Sequence, residues 1–335
     1  MDINVKVPAL EKLLDYTASG VGSVAGPMLS SWQAKRQAQA KQIAAEGDAA
    51  VLQIQAIAQS KAREVLESKN TGIVVERDIA NTISQRIQFQ EQKRQINIES
   101  VVSEAAKNLG DKRVASVETD HDWTARFFTE VQDVSSEDMQ SLWARVLAGE
   151  VECKGTTSIR TLGVLKNLNQ ATAKLFEILC SICVYSFSVG ESITDARVPS
   201  LGTNAAANGL KKYGLDFSML NMLNAHGLII SDYNSWLDFS PAIGLVAGRG
   251  APLVRFPFRF QGQNWILSPK GSYSYEKEFR VHGVALTESG KELSNIVEIE
   301  CVNEFTQDLI RYFDQKNLRM EKVENSNPQQ VGSCP

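Results

Sequence analysis

The chain has 335 residues, with 43% hydrophobic and 22% charged residues, enough for two domains or for one domain with a long helical extension. Its net charge of -4 and pI near 5.6 argue against a nucleic-acid binder that is basic throughout, while leaving room for a local basic patch. Five cysteines at irregular spacing (Cys153, Cys180, Cys183, Cys301, Cys334), and a start without a basic n-region, point to a reducing cytoplasm.

In chain order, a short helix is expected over residues 8–17. From Tyr16 to Ala34 there are 19 consecutive uncharged residues, close to the length of a membrane span. Ser19, Gly20, Gly22, Ser23, Gly26 and Pro27 make that stretch too polar for one. Residues 1–34 therefore read as a Gly-rich amphipathic segment and hinge. Val21, Val24, Met28, Leu29 and Trp32 are its candidate interfacial contacts, with Lys35 and Arg36 placed for anionic head groups.

Residues 35–110 read as a long helical hairpin or coiled coil. Ala, Gln, Lys and Glu dominate the first arm, and Ile43, Ala50, Ile54 and Ile57 fall near a heptad seam. Asn70, Thr71 and Gly72 break it. A second arm follows over residues 75–109, with Ile79, Ile83 and Ile87 four residues apart and Ile98, Val101, Val102, Ala105 and Leu109 continuing the pattern. Stripes this thin bury little alone, so the arms are expected to pair with one another or with a sister chain.

Residues 111–200 read as a central helical domain. Trp123, Phe127 and Phe128 form one apolar face. Ser135 to Asp138 supplies cap chemistry for a helix carrying Met139, Leu142, Trp143, Val146 and Leu147, with Gly149 as its expected stop. A turn over residues 153–157 leads to a helix with Ile159, Leu162, Leu165 and Leu168 inward. A further helix, apolar on most sides, is expected over residues 170–187. Residues 201–316 read as a winged-helix-like α+β module: a helix ending before Gly227, a strand at Leu228 to Ile230, short strands at 236–239, 253–260 and 265–267, a strand over 282–286, and a helix opening at Thr287. Residues 317–335 are polar and expected to be disordered. The fold class expected is thus mainly α, with the helical hairpin, the central helical domain and the C-terminal winged module in series.

Chemistry-bearing motifs are sparse. Cys180 and Cys183 have C-x-x-C spacing, but no second pair complements them and they sit in an apolar helix, so buried structural thiols are the better reading. The glycine-rich run Gly244 to Gly250 lacks the phosphate-loop pattern and reads as a hairpin or wing tip. Only three histidines occur (His121, His226, His282), none paired at i, i+4. Glu137 and Asp138 read as capping residues. No catalytic, cofactor-binding or metal-binding residue is assigned, and no cofactor. Trp143 with Arg145 and Arg160 could line a groove, but a core tryptophan with arginine stems laid across a helix pair is the plainer reading; Arg160 could also pair with Glu150. Lys211, Lys212, Arg249, Arg255 and Arg259 are candidates for a basic face, against which stands a helix before Gly227 without Lys or Arg.

The stretch from Trp123 to Leu168, with Trp143, Gly149, Glu150, Ser158, Arg160, Thr161 and Leu162, resembles the bacterial family known as domain of unknown function 2806. Asn208, Gly209, the Gly227 to Ile229 turn, and Leu286, Thr287, Gly290, Glu292 and Leu293 agree with it, over residues 110–315. Trp123, Trp143, Gly149, Arg160, Leu162, Gly227, Leu286 and Gly290 are its partner or structural positions. Cys153 and Lys154 depart from the Pro-containing turn expected there. More weakly, the N-terminal region is similar to that of abortive-infection alpha proteins, which implies a role in phage defence and no established chemistry. The expectation is a non-enzymatic interaction or sensor protein. It would form homo-oligomers through its N-terminal helices, bind a protein or phage component, and touch the inner membrane peripherally from the cytoplasm. The alternative is a DNA-binding regulator using the winged module, which the acidic chain disfavours.

Overall fold

A computed structural model describes residues 8–21, 72–110, 120–187, 192–203, 209–246, 253–271 and 278–323, with Lys112, Val114 and Ala207. The chain divides into two compact units: Met1–Lys112 with Glu118–Ser136, and Arg113–Val117 with Glu137–Pro335.

The described part of the first unit is three helices, α1 (Pro8–Val21), α2 (Gly72–Leu109) and α3 (His121–Val131). α1 packs on α3 and on α2. Ile98, Val101, Val102, Ala105 and Leu109 fall at helical spacing on one face of α2, and all are buried, so periodicity alone selects the packed face. Leu13 and Tyr16 of α1 and Trp123, Phe127 and Phe128 of α3 complete the core. Trp123 stacks on Phe127 with ring centroids 5.0 Å apart and takes the edge of Tyr16 at 6.2 Å. Gly20 is needed where α1 meets Phe128, because a β-carbon there would lie 2.9 Å from Phe128 Cε2. The Asp120 side chain accepts from Trp123 N at 3.0 Å and caps α3. Ser19 Oγ and His121 Nδ1 share a hydrogen bond between α1 and α3.

The second unit opens with α4 (Glu137–Glu152), α5 (Ile159–Lys166) and α6 (Gln170–Ser181). Ser158 and Asn169 cap the last two, accepting from Thr161 N and Thr172 N. β1 (Val184–Phe187), β2 (Ile193–Pro199) and a 3-10 turn (Gly209–Tyr213) follow. Next come α7 (Phe217–Ala225), β3 (Ile229–Ile230), β4 (Trp236–Asp238), α8 (Ser240–Ile243), and the paired β5 (Leu245–Val246) and β6 (Leu253–Val254). β7 (Phe258–Phe260), β8 (Gln263–Pro269), β9 (Arg280–Leu286), α9 (Glu288–Ser294), α10 (Asn303–Gln315) and β10 (Leu318–Lys322) complete the unit. Eight strands make one antiparallel sheet in the order β10-β8-β7-β1-β2-β9-β3, with β4 also paired to β9. α10 brings Phe305, Leu309 and Phe313, at i, i+4 and i+8, into the core. There Phe313 meets Phe239, Phe258 and Phe279 with ring centroids 6.1–6.2 Å apart.

This is an α+β fold and not the mainly α chain with a winged-helix-like module expected from sequence. Most of the expected winged-module strands exist and belong to the eight-stranded sheet, but the strand read over residues 253–260 is split into β6, paired with β5 in a separate two-stranded sheet, and β7, which joins the large one. The helix read over residues 170–187 stops at Ser181, and Val184–Phe187 is a strand between β2 and β7. A short, mostly apolar run has no period that separates a buried strand from a buried helix. β2 escaped notice because Thr194, Asp195 and Arg197 interrupt its apolar positions. Gly149 does not end α4, which runs on to Glu152. β10 lies inside the stretch read as a disordered tail, with Leu318 and Met320 buried against the sheet. The first arm of the predicted hairpin lies outside the described residues, and so does the hairpin turn before Gly72.

Candidate functional site

The sequence-predicted motif residues are mostly framework. Trp143 (1% exposed) and Leu162 are core side chains. Glu150 is 2% exposed. It gathers the turn after α4, accepting from Gly155 N at 2.7 Å, Thr156 Oγ1 at 3.2 Å and Thr157 N at 3.2 Å. Burial pushes its carboxyl above the usual carboxylate range, against the opposing pull of those hydrogen bonds. Arg160 is exposed on α5 and forms no described pair with Glu150. Arg145 donates from Nη1 to Glu298 at 3.0 Å, while its buried Nε has no partner among the described residues. Ser158 N donates to Glu292 Oε2 at 2.7 Å, tying the start of α5 to α9.

The structure brings Gly227, Leu286 and Gly290 together as one interlock. Gly227, with φ of 74°, turns the chain out of α7, a conformation that favours glycine. Ile229 then pairs with Leu286. Thr287 N donates to Leu228 O at 3.0 Å, and Thr287 Oγ1 donates to Gly227 O at 2.6 Å while accepting from Gly290 N at 3.0 Å. The Glu292 and Thr287 partnerships escaped sequence reasoning, since they join segments far apart in the chain.

Cys180 and Cys183 are both fully buried, and burial raises both thiols far above their ordinary value, so neither supplies a thiolate near neutral pH. No group of three or more His, Cys, Asp or Glu among the described residues could hold a metal ion. The basic candidates do not converge. Arg255 donates to Ile243 O and Ser268 Oγ, Arg259 lies over the Phe187 ring, and Lys212 pairs with Asp308. Lys211 is exposed, and Arg249 lies outside the described residues. Of the candidate membrane contacts, Val21 ends α1, and Val24, Met28, Leu29, Trp32, Lys35 and Arg36 lie outside the described residues. No helix among the described residues is long and apolar enough to cross a membrane.

The candidate functional surface is the first half of α2. Every residue from Ile79 to Lys93 is exposed. Ile79, Ile83, Ile87 and Phe89 are 53%, 43%, 50% and 57% exposed, on the same helix whose second half buries one face. Ile79, Ile83 and Ile87 form one stripe, and Phe89 and Ile96, seven residues apart, form another. At 3.6 residues per turn the two stripes are centred about 130° apart around the helix. One neighbouring helix covers one such stripe, so α2 presents apolar surface to two.

A family model described as a protein of unknown function (DUF2806) matches residues 81–310. No curated protein and no solved structure matches the chain.

Proposed function

Because the chain belongs to the DUF2806 family, whose description names no reaction, we propose from its surfaces that it is a non-enzymatic interaction protein that assembles with further copies of itself through α2. The observation that carries this reading is the pair of exposed apolar stripes on α2. Residues 35–68 would cover one stripe, with Ile43, Ile54 and Ile57 as their seam, and the other would meet a second copy. Burying three half-exposed side chains from each copy removes an apolar exposure worth roughly 5–9 kcal/mol. After the cost of association that leaves a modest, concentration-dependent assembly. Sedimentation of the full chain should show an oligomer that Ile83→Glu with Ile87→Glu dissociates. A wild-type chain that is monomeric at high concentration, or an oligomer indifferent to those substitutions, overturns the reading.

The wider role proposed is phage defence of the abortive-infection kind, with a phage component as trigger and residues 21–36 reaching the inner membrane. Its support is the sequence resemblance of the N-terminal region. α1 contributes Leu13 and Tyr16 to the core of its unit, so deleting the N-terminus would damage the fold. Val24→Asp with Met28→Asp is the sounder probe. Flotation with anionic vesicles should fall in that variant, and plaque counts on cells carrying it should rise. Equal flotation of both chains removes the membrane step.

A further inference from the structure

In the second unit, the turn after β2, the 3-10 turn, the start of β9 and α10 border two open lobes that share Tyr312 as a wall. One lobe, about 200 Å³, lies beside Lys212, Tyr213, Asp308 and Arg311. The other is an open groove of about 730 Å³ bordered by Phe279, Arg280 and Lys316.

The charge of the cleft departs from that of the chain. The protein is net negative, yet Lys212, Arg311, Arg280 and Lys316 face only two carboxylates here, Asp308 and Glu278. Asp308 has both carboxylate oxygens engaged, and Glu278 has one. Asp308 accepts from Lys212 Nζ, from Tyr213 OH at 2.6 Å and from Arg311 Nη1 at 2.6 Å. Glu278 Oε2 accepts from Arg280 Nε at 3.0 Å and Nη2 at 2.8 Å. Donors do remain. Arg311 spends one nitrogen on Asp308 and its side chain is 65% exposed. Lys316 makes no ion pair among the described residues. Arg280 is held in place by the Trp236 ring, 4.1 Å from the ring centroid, which fixes the plane of its guanidinium. At the rim, Leu201 and Gly202 are successive left-handed residues, with φ of 52° and 83°. For leucine that conformation persists only where the surroundings enforce it.

Cations with spare N–H groups beside a half-buried aromatic wall suit a ligand that is anionic at one end and planar at the other. We propose that this cleft binds a nucleoside phosphate, its phosphates on Arg311, Lys212 and Lys316 and its base against Tyr312. The assignment is independent of self-association through α2.

Calorimetry of the full chain at low salt, with ATP, inorganic triphosphate and adenosine as probes, tests it. ATP should bind at least about tenfold more tightly than either fragment, a difference of about 1.4 kcal/mol. Arg311→Ala with Lys316→Ala should weaken ATP by a similar factor without moving the unfolding midpoint, since both side chains are exposed. Arg160→Ala, an exposed cation on α5, should change nothing. Ile83→Glu with Ile87→Glu should bind as wild type does. No binding of ATP at millimolar concentration, or equal binding by the double alanine variant, overturns the site. Triphosphate binding as tightly as ATP overturns the nucleoside part of the assignment.

Discussion

Gly290, in the first turn of α9, sits against the carbonyl of Leu228, so close that an added β-carbon would lie 3.2 Å from the carbonyl carbon and nearer still to its oxygen. Backbone, not a flexible side chain, is the obstacle. Gly290→Ala must therefore push α9 off β3 or break the Thr287 bonds to Gly227 and Leu228. The expected loss is about 1–3 kcal/mol, the range of overpacked cores, read as a lower denaturant midpoint. Gly290→Ala with wild-type stability would show that this contact yields.

Arg197 and Asp195 pair on β2 through Nε to Oδ1 at 2.8 Å and Nη2 to Oδ2 at 2.7 Å. The arginine side chain is only 4% exposed and its partner 23%. Removing the acid strands a buried cation, which costs about 3–5 kcal/mol. Asp195→Asn is expected near the lower end of that range because its amide oxygen still accepts one bond. Replacing both residues with apolar ones should recover much of the loss. A double-mutant cycle with no coupling would refute the pairing as a stabilising element.

Glu150 has its folded pKa above the unfolded value, with burial as the main cause. The folded state then holds its proton more tightly, so this group's contribution is fully present below the unfolded value and diminishes as pH rises through the folded one. Glu150→Gln places an amide where three donors converge and should cost about 1–3 kcal/mol. The stability gap between wild type and Glu150→Gln should narrow from acid toward neutral pH. A gap that widens would reverse the assigned direction.

Asp308 behaves oppositely. Lys212 first, and Tyr213 second, hold its carboxyl below the usual range. Its contribution is present above the unfolded carboxylate value and lost as pH falls through the lower folded one. Its partners Lys212 and Arg311 are 49% and 65% exposed, so Asp308→Asn should cost only about 1 kcal/mol and flatten the acid limb of the stability curve. The Tyr213 phenol is pushed up to about 12, chiefly by burial and then by its bond to Asp308. Its phenolate absorbance should therefore appear at lower pH in the variant.

The helices were legible because their signals are local. Ser158, Asn169, Asp216 and Thr287 each place a side-chain oxygen on a backbone amide three residues on. The buried face of α2 follows directly from its period. The sheet was not legible in the same way. β1 is four residues long with only Ser186 polar, β2 carries an internal ion pair at Asp195 and Arg197, and β10 alternates charge with two buried side chains. None of these shows clean period-two alternation over enough residues. The cleft was invisible for a different reason. Lys212 and Asp308 meet across the fold, and no spacing rule connects them.

The sheet is assembled from remote stretches of chain. Val184 is matched with Phe260 on one side and with Arg197 on the other, and β9 must find β2, β3 and β4. Such long-range closures are entropically slow, on the order of milliseconds to seconds in two-state domains, whereas α4, α5 and α6 can form from neighbours in sequence. In refolding kinetics, helical ellipticity should therefore return well before the tryptophan fluorescence of Trp236 and Trp265, leaving an interval in which unpaired strand edges are open to aggregation and to chaperones.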